Sequence, residues 1–290
     1  MKRKGYVLAL LMTLTVLIEV YSSVSPAAAS GLDLRLFPII PAIRGTVAAR
    51  AYQLAYRGRR YGNRLDVFSK IGDSITAWDY SLTPIGAGGL RLGNFGNLQR
   101  AVTFFTRHAN SFAAISFAAH DAWTSYDLLN PALAKQGACA TGETPIQCEL
   151  RASRPGLALI MIGTNDLAYG NPAAFRANLD QIVTLVEHQG VIPVLSTIPH
   201  RRDKPGLDGR VYDYNVAIVQ VALAHSAPLW NYWLAVEGLP ANGVSIDGVH
   251  PSLPGDHNTA IFDADHLQAG WTMRNLTALQ VLDVLMPVLQ

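Results

Sequence analysis

From Leu65 onward, short apolar runs alternate with longer stretches whose apolar residues recur at helical spacing. The runs are "LDVFSKIG" (65–72), "FAAISFAA" (112–119), "LALIMIG" (157–163), "VIPVLSTI" (191–198) and "APLWNYW" (227–233). Near-continuous apolar runs of this length predict strands buried on both faces. The clearest helical pattern is "NPAAFRANLDQIVTLVEHQG": Asn171 suits the cap, Pro172 the first turn and Gly190 the stop. "LDGRVYDYNVAIVQVALAHS" predicts a second helix and "AGWTMRNLTALQVLDVLMPVLQ" a third. Strands alternating with helices imply an α/β fold, a parallel sheet with helices on both faces. Ligands of such sheets bind beyond the carboxyl ends of the strands.

Composition agrees with a large core. Of 290 residues, 50% are hydrophobic and only 15% charged, which excludes wholesale disorder. The first thirty residues stand apart. A basic start, "MKRKG", precedes the apolar run "YVLALLMTLTVLIEV" and then "SPAAAS", with Ala27 and Ala29 as a small-residue cleavage site. This is the layout of a secretory signal peptide over residues 1–29, which predicts a secreted or cell-envelope protein; an uncleaved anchor is the alternative. The run is short for a bilayer span, so no stable membrane insertion is expected after cleavage. Removing that segment takes the net charge from +2 to 0, and nothing then argues for nucleic acid. Cys139 and Cys148 are an even, close pair that reads as a disulfide in an exported chain, with two free thiols as the alternative.

Three segments fall at the predicted active edge: Gly72-Asp73-Ser74, "GTND" with Asn165, and "DGVHPS" with Asp247 and His250. A serine hydroxyl is a weak nucleophile and needs a base within hydrogen-bond reach. Imidazole suits that task, and it needs an acceptor on its other nitrogen. An Asp-x-x-His turn supplies both from one loop. A developing oxyanion needs donors, for which the Asn165 amide and the Ser74 N–H are candidates. Each segment alone is a common turn; their order and placement are not.

Together these segments resemble the SGNH hydrolases, or GDSL esterases and lipases, over most of the chain from about Asp66. "FSKIGDSIT" matches the first block, with Ile75 in place of the usual leucine; "IGTND" matches the third and "DGVHPS" the last. The resemblance implies a three-layer α/β/α sandwich with a flavodoxin-like parallel sheet over 65–290, after an extension at 30–64. It implies a serine esterase with Ser74 as nucleophile, His250 as base, Asp247 as acid and Asn165 as oxyanion donor, with no cofactor. Lipid, acyl or acetylated-sugar esters are its substrate classes. The second block departs: "SFAAHDAWTSYDLL" has no glycine, and Ala122 takes that oxyanion position by register. An alanine there is strained if the site demands a positive φ. That departure leaves a weak or inactive binding protein on the same scaffold as the alternative. Trp78, Trp123 and Tyr126 are read as core or as pocket wall. The mixture "DHNTAIFDADH" (256–266) fits no metal-ligand spacing. "NLT" at Asn275 is a glycosylation sequon inside a predicted helix.

Overall fold

A computed structural model describes residues 31–290; the predicted signal segment lies outside them. The strands are β1 (Arg64–Gly72), β2 (Pro155–Met161), β3 (Ile192–Ser196) and β4 (Leu229–Trp230), all parallel and in the order β1-β2-β3-β4. The helices used below are α1 (Gly45–Tyr61), α2 (Ser74–Ala77), α3 (Gln99–Phe105), α4 (Pro145–Ser153), α5 (Pro172–His188), α6 (Leu207–His225) and α7 (Gly270–Leu289). One layer contains α4, α5 and α6; the other contains α1, α3 and α7. The sheet between them is dry, with every residue of β2 and β3 buried. This is the expected α/β/α sandwich. Residues 33–64 pack within the same compact unit, and Ala51, Leu54 and Ala55 of α1 join its core. No helix among the described residues is long and apolar enough to cross a membrane.

Local chemistry sets the boundaries. Asn171 caps α5 by accepting from the Ala174 N–H, and Gly190 leaves that helix at φ 67°. Gly190 and Gly58 touch backbone to backbone, so a Cβ on either would collide with the other chain segment. Arg57 and Arg64 of "RGRRYGNR", with the more distant Arg154, sit on carbonyls near helix C-termini. Arg64 donates to Ser153 O, Arg57 to Glu187 O and Arg154 to Tyr61 O. Cations are favoured there by the helix dipole.

The expected strand 112–119 is a correction. Turns and open loop occupy that stretch, with one bridge between Gly72 and Ala119. The burial on both faces expected of a central strand fails there: Phe112 and Ala118 are buried, but Ile115 is 91% exposed. A side chain takes over part of the strand's role, since Ser111 Oγ accepts from the Phe68 N–H on the outer edge of β1. Phe112 instead packs edge-on against Phe68, 5.0 Å between centroids. The remnant still matters. Gly72 donates to Ala118 O (2.9 Å) and accepts from His120 N (3.3 Å), which pins residues 118–120 beside the carboxyl end of β1. The chain therefore adds to one side of β1 and then to the other while every pairing stays parallel, and open α/β sheets form their crevice at such a position.

Candidate active site

Gly72 ends β1 where no side chain fits: an added Cβ would lie 2.1 Å from Met161 O and 2.4 Å from Thr76 Oγ1. Asp73 then caps α2, accepting from the Ile75 N–H at 3.0 Å, and this turn lifts Ser74 off the strand end. Ser74 is 8% exposed, on the first turn of a short helix. Across the cleft, residues 245–250 form a tight loop. Asp247 Oδ1 accepts from Ser245 Oγ (2.6 Å), Val249 N (2.8 Å) and His250 N (2.9 Å). Its Oδ2 lies 2.7 Å from His250 Nδ1, and His250 Nε2 lies 2.9 Å from Ser74 Oγ. The structure thus brings Ser74, His250 and Asp247 into one unbroken line of hydrogen bonds. A hydroxyl so placed can pass its proton to the imidazole while the carboxylate holds the ring.

Electrostatics separate the two carboxylates of the site. Burial opposes the charge on Asp247, but its four hydrogen bonds outweigh burial and hold it well below the usual carboxylate range. Asp73 is the reverse case. Complete burial pushes it up to about 7, against the Ile75 N–H and the Arg274 charge, which favour the anion. Its Oδ2 has no hydrogen-bond partner among the described residues. Asp247 is therefore the anion beside the imidazole, and Asp73 is a cap.

Three N–H groups are candidates to receive an oxyanion beside Ser74. Among the described residues, neither the Ser74 N–H nor the Ala122 N–H makes a hydrogen bond. Ala122 sits at φ 61°, the left-handed region that favours glycine. The condition for strain named from the sequence is met there. Asn165 follows Gly163, whose φ of 126° and contact with the Phe175 ring (2.9 Å from an added Cβ) leave no room for a side chain. The Asn165 amide donates from Nδ2 to Trp123 O (3.0 Å), which leaves its other N–H without a partner among the described residues.

Other expectations fall into place at this geometry. Trp78 is half-buried and stacks on the His250 ring, 3.9 Å between centroids and 19° apart. Its indole N–H donates to Asp121 Oδ1 (2.9 Å), so Trp78 ties the base to the loop carrying Ala122. Its position four residues after Ser74 is the only sequence signal for this. His120 stacks on Trp123 (5.2 Å), and Tyr126 is exposed. Arg201 was not legible at all; its Nη1 donates to Asn165 Oδ1 at 3.3 Å. Asp166 of the "GTND" segment is structural, accepting from Ser125 Oγ and N. Within 256–266, His266 lies between Asp263 (2.7 Å) and Asp256 (3.2 Å) as an exposed ion-pair cluster. Cys139 and Cys148 form a disulfide. Asn275 is fully buried and bonds to Tyr80 O, Thr259 O and the Leu82 N–H, so the sequon cannot accept a glycan in the folded chain.

Comparison with known proteins gives the same family. No curated protein matches this sequence. Among solved structures, the chain is similar to a candidate SGNH hydrolase from Slackia heliotrinireducens. That match has 17% identity and a TM-score of 0.50, over 75% of this chain and 99% of that one. It is also similar to a GDSL-like lipase from Bacteroides thetaiotaomicron (15% identity, TM-score 0.48, 81% and 98% covered). A third match is the psychrotrophic esterase EstA from a Pseudoalteromonas species (17%, 0.45, 77% and 99%). A family model described as GDSL-like lipase/acylhydrolase matches residues 71–257, from the start of the Ser74 turn past His250. The chain therefore belongs to the GDSL-like lipase/acylhydrolase family.

Proposed function

We propose that this protein is a secreted serine esterase that hydrolyses carboxylic esters through an acyl-enzyme. One observation carries the reading: the line from Ser74 Oγ through His250 Nε2 and Nδ1 to Asp247 Oδ2, with contacts of 2.9 and 2.7 Å. Ser74 Oγ attacks the ester carbonyl carbon as its proton passes to His250 Nε2. The carbonyl oxygen becomes an oxyanion, held by the N–H groups of Ser74 and Ala122 and the free Nδ2–H of Asn165. The tetrahedral intermediate collapses, and His250 returns the proton to the leaving alkoxide. Water then attacks the acyl-enzyme, deprotonated by His250, and a second collapse releases the acid and restores Ser74. Asp247 stays ionised throughout and fixes the imidazole tautomer.

Ser74→Ala is expected to abolish turnover of a short-chain p-nitrophenyl ester while the fold survives. Full activity in that variant ends the reading. Lipid, acyl and acetylated-sugar esters are the substrate classes to compare, with acetylxylan, short acyl esters and lysophospholipid as probes. The φ of 61° at Ala122 favours a second reading, a catalytically weak binding protein on the same scaffold. Under it, Ser74 would resist an organophosphonate.

A further inference from the structure

The Asn165 amide and the acid–base pair come from different parts of the chain, the turn after β2 and the 245–250 loop. One segment after β3 touches both. Arg201 is 6% exposed, and all three nitrogens of its guanidinium donate hydrogen bonds. Nε and Nη2 hold the two oxygens of Asp203 at 2.8 and 3.1 Å. Nη1 donates to Thr164 O and to Asn165 Oδ1. The next residue, Arg202, donates its backbone N–H to Gly248 O at 2.6 Å, inside the Asp247–His250 loop. Gly248 lies so close to Asp203 N that an added Cβ would be 2.6 Å away.

The two ends of an asparagine amide have nearly the same shape, so partners decide which end faces a cavity. Arginine carries donors only. A buried guanidinium against Asn165 therefore accepts one orientation: Oδ1 toward Arg201, and Nδ2 toward Trp123 O and the cleft. Asp203 in turn fixes the guanidinium through a bidentate pair. The same pair holds the Asp203 carboxyl below the usual range. We propose that Arg201, fixed by Asp203, is a positioning residue that orients the Asn165 amide for the oxyanion and registers it against the His250 loop. This inference rests on the esterase reading above.

The test is a double-mutant cycle on a p-nitrophenyl ester, run below the melting temperature of every variant. Arg201→Met removes the donors at similar length. It is expected to lower kcat roughly 10- to 100-fold with KM nearly unchanged, since a misdirected donor fails mainly in the transition state. Arg201→Lys, which keeps a charge and a donor, is expected to recover part of that loss. Asn165→Ala alone is expected to lose about 100-fold or more. Adding Arg201→Met to Asn165→Ala should then cost little more, because the group being oriented is already gone. Multiplicative losses, or an Arg201→Met enzyme with wild-type kcat, would overturn the inference. A wild-type enzyme that neither turns over esters nor reacts at Ser74 ends the esterase reading and this inference with it. An active wild type with multiplicative losses ends this inference alone.

Discussion

Gly248→Ala tests how tightly the acid–base loop is registered against its neighbours. Gly248 has φ 75°, so a Cβ there costs about 1–2 kcal/mol of backbone strain, partly offset by the entropy the unfolded chain loses. The new Cβ would lie 2.6 Å from Asp203 N and 2.9 Å from Arg202 C, both backbone atoms that cannot rotate away. Ordinary contact begins near 3.4 Å, so the two segments must part by roughly 0.8 Å. The 2.6 Å hydrogen bond from Arg202 N to Gly248 O lengthens with them, a further loss of about 1 kcal/mol. The sum is a destabilisation of about 2–3 kcal/mol, or roughly 5–10 °C in Tm for a domain of this size. His250 sits two residues further on, and a displacement approaching 1 Å at a reacting group can cost about 100-fold in rate. The assay is kcat for a p-nitrophenyl ester together with urea and thermal melts. Gly255→Ala serves as control, because a Cβ there meets open space. A Gly248→Ala enzyme with wild-type kcat and Tm would refute the close registration of the two segments.

Ala122→Gly relieves left-handed strain of about 1 kcal/mol but adds a similar backbone entropy cost, so its stability is expected to stay within about 0.5 kcal/mol of wild type. Its kcat should be equal or higher, and a fall of more than tenfold would contradict a backbone-donor role for this residue. Asp73→Asn separates burial from charge. The carboxyl is raised in the folded state to about 7 from 3.8, so its contribution is fully present below about pH 3.8 and is lost as pH rises toward 7. The variant's stability relative to wild type should therefore climb across that window in urea titrations, whereas a gap independent of pH would contradict the raised value. Replacing Cys139 and Cys148 by serine together opens a short loop, their separation being 9 residues, and is expected to cost about 3 kcal/mol. The same loss should follow reduction of the wild type, and a reductant should do nothing further to the variant.

Much of the fold could be read from apolar runs, because β1, β2 and β3 are buried on both faces and carry no alternation to confuse. The helix at 172–188 was legible through its asparagine cap and terminal glycine, both of which act locally. The segment 112–119 misled for a physical reason. Its composition suits a strand, yet Ser111 Oγ satisfies the β1 edge and Phe112 leaves the edge for the aromatic cluster. Neither act leaves a periodic trace. The grouping of Asp247 with His250 was legible because one turn holds both. Arg201 was not, since it meets Asn165 across 36 positions of chain. Trp78 stacks on His250 far along the chain, and only its closeness to Ser74 pointed to that contact. Asn275 shows the converse: its motif is explicit, and burial in α7 cancels it.

The central claim is that the Ser74 hydroxyl is activated by His250. The most direct measurement is mass spectrometry of the intact protein and its peptides after exposure to a fluorophosphonate. A single adduct on Ser74 is expected in the wild type, absent in Ser74→Ala and slowed by orders of magnitude in His250→Ala. A folded wild-type protein that takes no adduct at Ser74, or that reacts as fast without His250, would contradict it.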